Sequence, residues 1–172
     1  MLNVKYDFSS VHVDVPPTLA NSIIQWGKKQ IKDEDIYVSS KEATLGRENE
    51  IHATVLYGIH SSSADQSIKL LKDTGPIKAK LGKTGIFIKP KSYDVIMIEI
   101  ESPDLNKLNE LLIKNIKHTN KYGLYKPHIT IAYVKKGKAW KHVHNLDWCG
   151  MEFTCDEAVF SSKNGSKHRF SL

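Results

Sequence analysis

Two stretches of this 172-residue chain repeat one another. Residues 52–58 read His-Ala-Thr-Val-Leu-Tyr-Gly, and residues 128–134 read His-Ile-Thr-Ile-Ala-Tyr-Val. Both fit His-x-Thr followed by two apolar residues and Tyr. With 8 histidines in the chain, one His-x-Thr would carry little information. Two copies with tyrosine at the same offset, each in an apolar run, are not explained by composition. On a strand, residues i and i+2 share a face, so His52 lies with Thr54 and His128 with Thr130. If a pseudo-twofold axis relates the two halves, the strands lie side by side and one cleft receives two imidazoles and two hydroxyls. Such a set suits a phosphodiester. One histidine deprotonates the nucleophile and the other protonates the leaving oxygen, since imidazole does either near neutral pH. The threonine hydroxyls donate to the non-bridging oxygens, where charge sits in the transition state. No carboxylate set or zinc-like ligand spacing accompanies the pair, so neither a metal nor a cofactor is expected.

Other residues could meet the substrate. Arg47, in the polar stretch before His52, is a candidate phosphate clamp. Tyr122 and Tyr125, just before His128, could stack on bases, as could Phe87 and Tyr93 beside a turn. His12 could face the cleft from the first strand. Tyr57 and Tyr133 sit at an odd offset from their histidines, which points them to the opposite face as packing residues unless a bulge intervenes. Lys126, Lys135 and Lys136 read as charged surface with a possible electrostatic contribution. His60, His118, His142, His144 and His168 read as surface residues.

The elements that must position these groups follow from periodicity. Residues 8–15 alternate as a strand, ended by Pro16-Pro17. Leu19, Ile23, Trp26 and Ile31 set a helix over 18–31. Residues 32–50 lack a period and read as a loop. Residues 51–57 form a strand, 63–72 a short helix, 77–88 strand material interrupted by Gly82 and Gly85, and 94–101 another strand. Ser102 caps and Pro103 opens a helix whose buried side is Leu105, Leu108, Leu111 and Leu112. A loop over 118–126 leads to a strand at 129–134. Residues 137–146 read as helical, 153–160 as one strand and 167–171 as a last one. This mixture predicts a single α+β domain over 1–172 with antiparallel sheets.

The formal net charge of +6 favours an anionic partner such as a nucleotide or nucleic acid, though a merely basic surface fits it too. The 2 cysteines, Cys149 and Cys155, lack CxxC spacing and are expected to be free thiols. Neither a signal peptide nor an apolar run long enough to cross a bilayer is legible, so the expectation is a cytoplasmic monomer.

His52-Ala53-Thr54 and His128-Ile129-Thr130, with Pro127 just before the second, resemble the paired motif of the 2H phosphoesterase superfamily. That group includes the so-called 2′-5′ RNA ligases and RNA 2′,3′-cyclic phosphodiesterases. The resemblance extends to spacing and element order, and so covers most of the chain. It implies a bilobal α+β fold of two antiparallel-rich sheets with pseudo-twofold symmetry and the helices on the outside, the motif strands lining a central cleft, and catalytic roles for His52, Thr54, His128 and Thr130. Asp94-Val-Ile, the stretch from Glu101 to Asn109 and the segment Val159-Phe-Ser-Ser-Lys look most like small phage and bacterial members. Some phage relatives are anti-CBASS nucleases that destroy cyclic oligonucleotide immune signals. The expected substrate is therefore a cyclic di- or trinucleotide, cleaved without metal at its 3′-5′ linkages. An RNA 2′,3′-cyclic phosphodiesterase acting on RNA ends is the second reading, and a protein that sequesters nucleotides without cleaving them is the third. Ala53 departs from the family's larger residue without disturbing the motif.

Overall fold

A computed structural model describes residues 6–39, 45–89, 92–120 and 123–172. Within them the alternating stretches become strands β1 (Ser9–Asp14), β2 (His52–Ile59), β3 (Ile77–Ile88), β4 (Tyr93–Glu101), β5 (His128–Lys135), β6 (Glu152–Cys155), β7 (Glu157–Ser161) and β8 (Lys167–Ser171). The helices are α1 (Pro17–Gln30), α2 (Asp65–Leu71) and α3 (Pro103–Asn115). All strand pairings are antiparallel, in the order β6-β3-β4-β5-β2-β1-β7-β8. That order is symmetric about its middle: β4 flanks β5 as β1 flanks β2, and β3 lies beyond β4 as β7 lies beyond β1. The two antiparallel halves join at one bridge, Ala53 to Ile129. Both residues are fully buried, so the junction is part of the core. The fold is α+β, a curled antiparallel sheet carrying few helices.

The curl has a covalent cause. β6 lies at one edge of the sheet, and β7 is next to the last strand at the other edge. Asp156 alone separates them in sequence, so the two edges must approach. Cys155 Sγ closes the gap by donating to the Asp14 carbonyl at 3.0 Å. The single strand expected over 153–160 is thus two strands that serve opposite edges.

The helix expected over 137–146 reduces to one 3-10 turn at Trp140–His142. Tertiary hydrogen bonds take the backbone groups a helix would need. The fully buried Thr84 hydroxyl donates to the His142 carbonyl and accepts from the Asn145 amide, while His144 N–H donates to the Thr84 carbonyl. The 32–50 stretch is likewise less irregular than expected, with a 3-10 turn at Asp33–Asp35 and bridges from Ile36 to Val134 and Arg47 to Ala132.

α3 forms as its sequence dictates. Ser102 Oγ accepts from Leu105 N–H at 3.1 Å, Pro103 stands in the first turn, and Leu105, Leu108 and Leu112 are buried. Both cysteines are free, Cys149 exposed and Cys155 buried. No helix among the described residues is long and apolar enough to cross a membrane.

Candidate active site

Each motif carries a β-bulge at the same place. Along β1 and β2, Thr54 pairs with His12 and Leu56 with the next residue, Val11, so Val55 is the extra one. Along β4 and β5, Thr130 pairs with Met97 and Ala132 with Ile96, so Ile131 is the extra one. A bulge places two consecutive side chains on one face. Val55 and Leu56 are both buried, as are Ile131 and Ala132. Beyond the bulge the phase reverses, and Tyr57 and Tyr133 return to the side of the histidines, contrary to simple alternation. Tyr57 meets Phe8 edge-on at 6.0 Å, and Tyr133 meets Tyr93 edge-on at 5.4 Å.

The carbonyls freed by the bulges find partners, as buried backbone groups must. The buried Asn109 side chain on α3 donates to the Val55 carbonyl at 2.7 Å. The Glu48 amide donates to the Ile131 carbonyl at 2.9 Å. Gly27 lets α1 lie against the second bulge, since a Cβ there would stand 2.9 Å from Ile131 Cγ2.

The Ala53–Ile129 bridge sets the site's geometry. In an antiparallel pair, the residues flanking a bridge oppose one another on the other face. His52 therefore opposes Thr130, and Thr54 opposes His128. The diagonal between the two histidines is about 7–8 Å by sheet geometry, wide enough for one phosphate between the rings. His52 Nδ1–H donates to the Glu50 carbonyl at 2.7 Å, and His128 Nδ1–H donates to the Lys126 carbonyl at 2.8 Å. A carbonyl only accepts, so both rings carry the proton on Nδ1 and turn Nε2 toward the cleft. Burial holds the pKa of both histidines below the ordinary value. The charge of His12 lowers His52 further; for His128 the Lys126 carbonyl opposes the shift, while His52 and Lys89 add to it.

The other sequence candidates divide. His12 is in the site, 7% exposed, with its ring centroid 4.7 Å from that of His52. Phe87 is there too, edge-on to His128 at 4.8 Å. Tyr93 pairs with Lys135, seven residues along β5 from His128, and its ring meets Tyr37 at a tilt and Tyr133 edge-on. Tyr125 packs against the core, and its hydroxyl donates to the Thr54 carbonyl at 2.8 Å, so it braces the motif strand from behind. Burial pushes its phenol above the ordinary range. Tyr122 lies outside the described residues.

Arg47 is not a phosphate clamp. Nη1 donates to the Gly27 carbonyl at 2.9 Å, and Nη2 donates to the Ile31 carbonyl at 2.6 Å and to Asp33 at 2.7 Å. The guanidinium caps the C-terminal end of α1, where a cation meets the negative end of the helix dipole.

Asp14 and Asn109 escaped the sequence reading. Asp14 opposes His52 across β1 and receives Arg169 Nη2 at 2.6 Å. His12 and Arg169 hold its carboxyl well below the ordinary range. Its signal was the His-x-Asp spacing on the first strand. For Asn109 it was a polar residue on the leucine face of its helix. Beyond His12 a cavity of about 850 Å³ opens, lined among others by Asp14, Glu50, Asp156, Glu157, Lys167 and Arg169. Among the described residues, no three His, Cys, Asp or Glu side chains converge where a metal ion would sit.

The fold is shared with solved structures of low sequence identity. The Thermus thermophilus protein TT0787 aligns with a TM-score of 0.67 at 18% identity, over 96% of this chain and 97% of its own. Escherichia coli LigT, in a structure that holds 3′-AMP, aligns at 0.62 and 16%, over 98% and 95%. Kluyveromyces marxianus Usb1, with uridine monophosphate, aligns at 0.60 and 8%, over 96% and 98%. These likenesses concern the fold. A search of curated protein sequences found no match. The sequence model of the 2′-5′ RNA ligase superfamily matches residues 40–167, a span containing both motifs. The chain belongs to that superfamily, which places it among the phosphoesterases.

Proposed function

We propose that the protein is a two-histidine phosphodiesterase, with His52 and His128 as its acid–base pair and Thr54 and Thr130 as donors to the phosphoryl oxygens. One observation carries this reading: two imidazoles on neighbouring strands, each anchored through Nδ1–H and each opposite the other motif's threonine. A ribose 2′-OH on the 3′ side of the diester loses its proton to one Nε2. The O2′–P bond forms and the P–O5′ bond breaks, while the other Nε2 gives its proton to the departing O5′. Water then opens the 2′,3′-cyclic phosphate with the two roles exchanged. The acid–base chemistry needs no metal at any step.

For the substrate we infer a cyclic di- or trinucleotide. The cavity beside His12 is of the size that holds nucleoside-scale ligands. Four of its lining residues are carboxylates, against two cations that pair with them. That balance disfavours phosphates and suits a base or ribose that reaches past His12, the four motif residues lying outside the cavity's lining. RNA ends bearing a 2′,3′-cyclic phosphate are the second reading, favoured by the 3′-AMP and uridine monophosphate held by the LigT and Usb1 structures.

The test is incubation with cyclic di- and trinucleotides, and separately with a cyclic-phosphate-ended oligoribonucleotide, in excess EDTA, followed by chromatography and mass spectrometry. Cleavage of the cyclic oligonucleotides that persists in EDTA and is lost in His52→Ala and His128→Ala supports the first reading. Turnover of the RNA end alone moves the assignment to the second. Full activity in the double variant would overturn both.

A further inference from the structure

The two motif histidines are equivalent in sequence and unequal in surroundings. On β1, His12 and Asp14 oppose Thr54 and His52; the corresponding places on β4, opposite Thr130 and His128, hold Met97 and Glu99. An imidazole therefore backs His52, while the ring of Phe87 lies against His128, Glu99 is its register partner, and the charges of His52 and Lys89 act on it.

We propose that His12, fixed by Asp14 and Arg169, is a positioning residue that makes His52 the base and leaves His128 the acid. This rests on the phosphodiesterase reading above. His12 is nearly buried, its ring lies 4.7 Å from that of His52, and its Nε2 is 3.3 Å from Asp14. Arg169 holds the same carboxylate at 2.6 Å and reaches Glu157 at 3.5 Å, so the imidazole is anchored from behind.

The groups facing His52 are His12 and Asp14 on β1, Glu48 and Glu50 on the preceding segment, and His128 on β5. Those facing His12 are His52, Asp14 and Arg169, with uncharged Val159 opposite it on β7. Burial first, and then the charge of His12, disfavour the charged form of His52, which favours a bare Nε2. Glu48 and Asp14 act in the opposite sense, with smaller effect than burial and His12. His128 has no imidazole at the corresponding place on β4, where Met97 stands, and its register partner there is the carboxylate residue Glu99. The initial transfer then has one direction. The 2′-OH proton passes to His52 Nε2, and the proton on His128 Nε2 passes to the leaving O5′.

The first test needs no substrate. The His52 and His128 ring resonances are titrated by NMR in the wild-type protein and in His12→Gln, which keeps a polar side chain and removes the titrating ring. The midpoint of His52 is expected to rise by about one pH unit in the variant while that of His128 stays within a few tenths. An unmoved His52 midpoint in the folded variant would overturn the proposal. If His12→Gln does not fold, the wild-type titration decides: a His52 midpoint above that of a free histidine overturns it.

The second test bypasses the acid. Uridine 3′-(4-nitrophenyl phosphate) has a leaving group that needs no proton. On it His128→Ala should fall within about tenfold of wild type, while His52→Ala should stay at least a hundredfold down. The opposite ranking would overturn the assignment of roles. If neither histidine variant lost activity on any diester, the phosphodiesterase reading itself would fail, whatever the NMR titration showed.

Discussion

Arg47 is where a functional and a structural role are most easily confused, and Arg47→Met separates them. Its side chain is 20% exposed and donates to the carbonyls of Gly27 and Ile31, while its ion-pair partner Asp33 is 98% exposed. The exposed pair adds little. A hydrogen bond from a charged donor contributes about 1.5–3 kcal/mol. The Gly27 carbonyl keeps a second donor, the Ile31 amide at 3.0 Å, so the Ile31 carbonyl bears most of the loss. The sum is a destabilisation of about 2–4 kcal/mol, or roughly 5–15 °C in Tm for a chain of this size. KM should change by less than about threefold, because both Nη atoms of Arg47 are engaged at the end of α1 and on Asp33. Differential scanning fluorimetry and steady-state kinetics on the same preparation give both values. A Tm within 2 °C of wild type (about half the smallest shift expected) combined with a tenfold rise in KM would refute this account and restore the phosphate clamp.

Three further outcomes follow from the site. Asn109→Leu keeps the shape of the side chain and abandons the Val55 carbonyl; it should cost about 1–3 kcal/mol in urea unfolding and lower kcat through the loosened bulge, and unchanged stability would show that the bulge does not need that donor. Thr54→Val and Thr130→Val should each lower kcat by about 10² with little change in KM, as expected for donors that act mainly on transition-state charge; a loss confined to KM would reassign them to ground-state binding. Because burial lowers the pKa of both His52 and His128, the unfolded chain binds protons that the native one refuses once the pH falls below about 6.5. Stability should therefore be level above that pH and decline below it, and the kcat/KM optimum should lie on the acid side of neutrality; Asp14, whose carboxyl is held well below the ordinary range, contributes a constant stabilisation over this window and adds a further decline only below about pH 4. A Tm that rises between pH 6.5 and 5 would contradict the sign.

The shared face of each motif's imidazole and hydroxyl is legible in the sequence because it is local. His-x-Thr on an alternating strand puts imidazole and hydroxyl on one face by backbone geometry alone, and a twofold repeat of that pattern implies a symmetric meeting of strands. Helices with regular apolar spacing and a defined cap, such as α3, were legible for the same reason. What remained hidden depended on residues far apart in the chain. The bulges at Val55 and Ile131, which return Tyr57 and Tyr133 to the cleft side, exist because Asn109 and Glu48 arrive to satisfy the freed carbonyls. The break at Asp156 follows from closure of the whole sheet, and the lost helix at 137–146 from the competing hydrogen bonds of Thr84. Arg47 reads as a free cation until α1 places two carbonyls within its reach. The inequality of the motif histidines is likewise tertiary. The repeat makes His52 and His128 alike, and only the pairing of β1 with β2 puts an imidazole behind one of them.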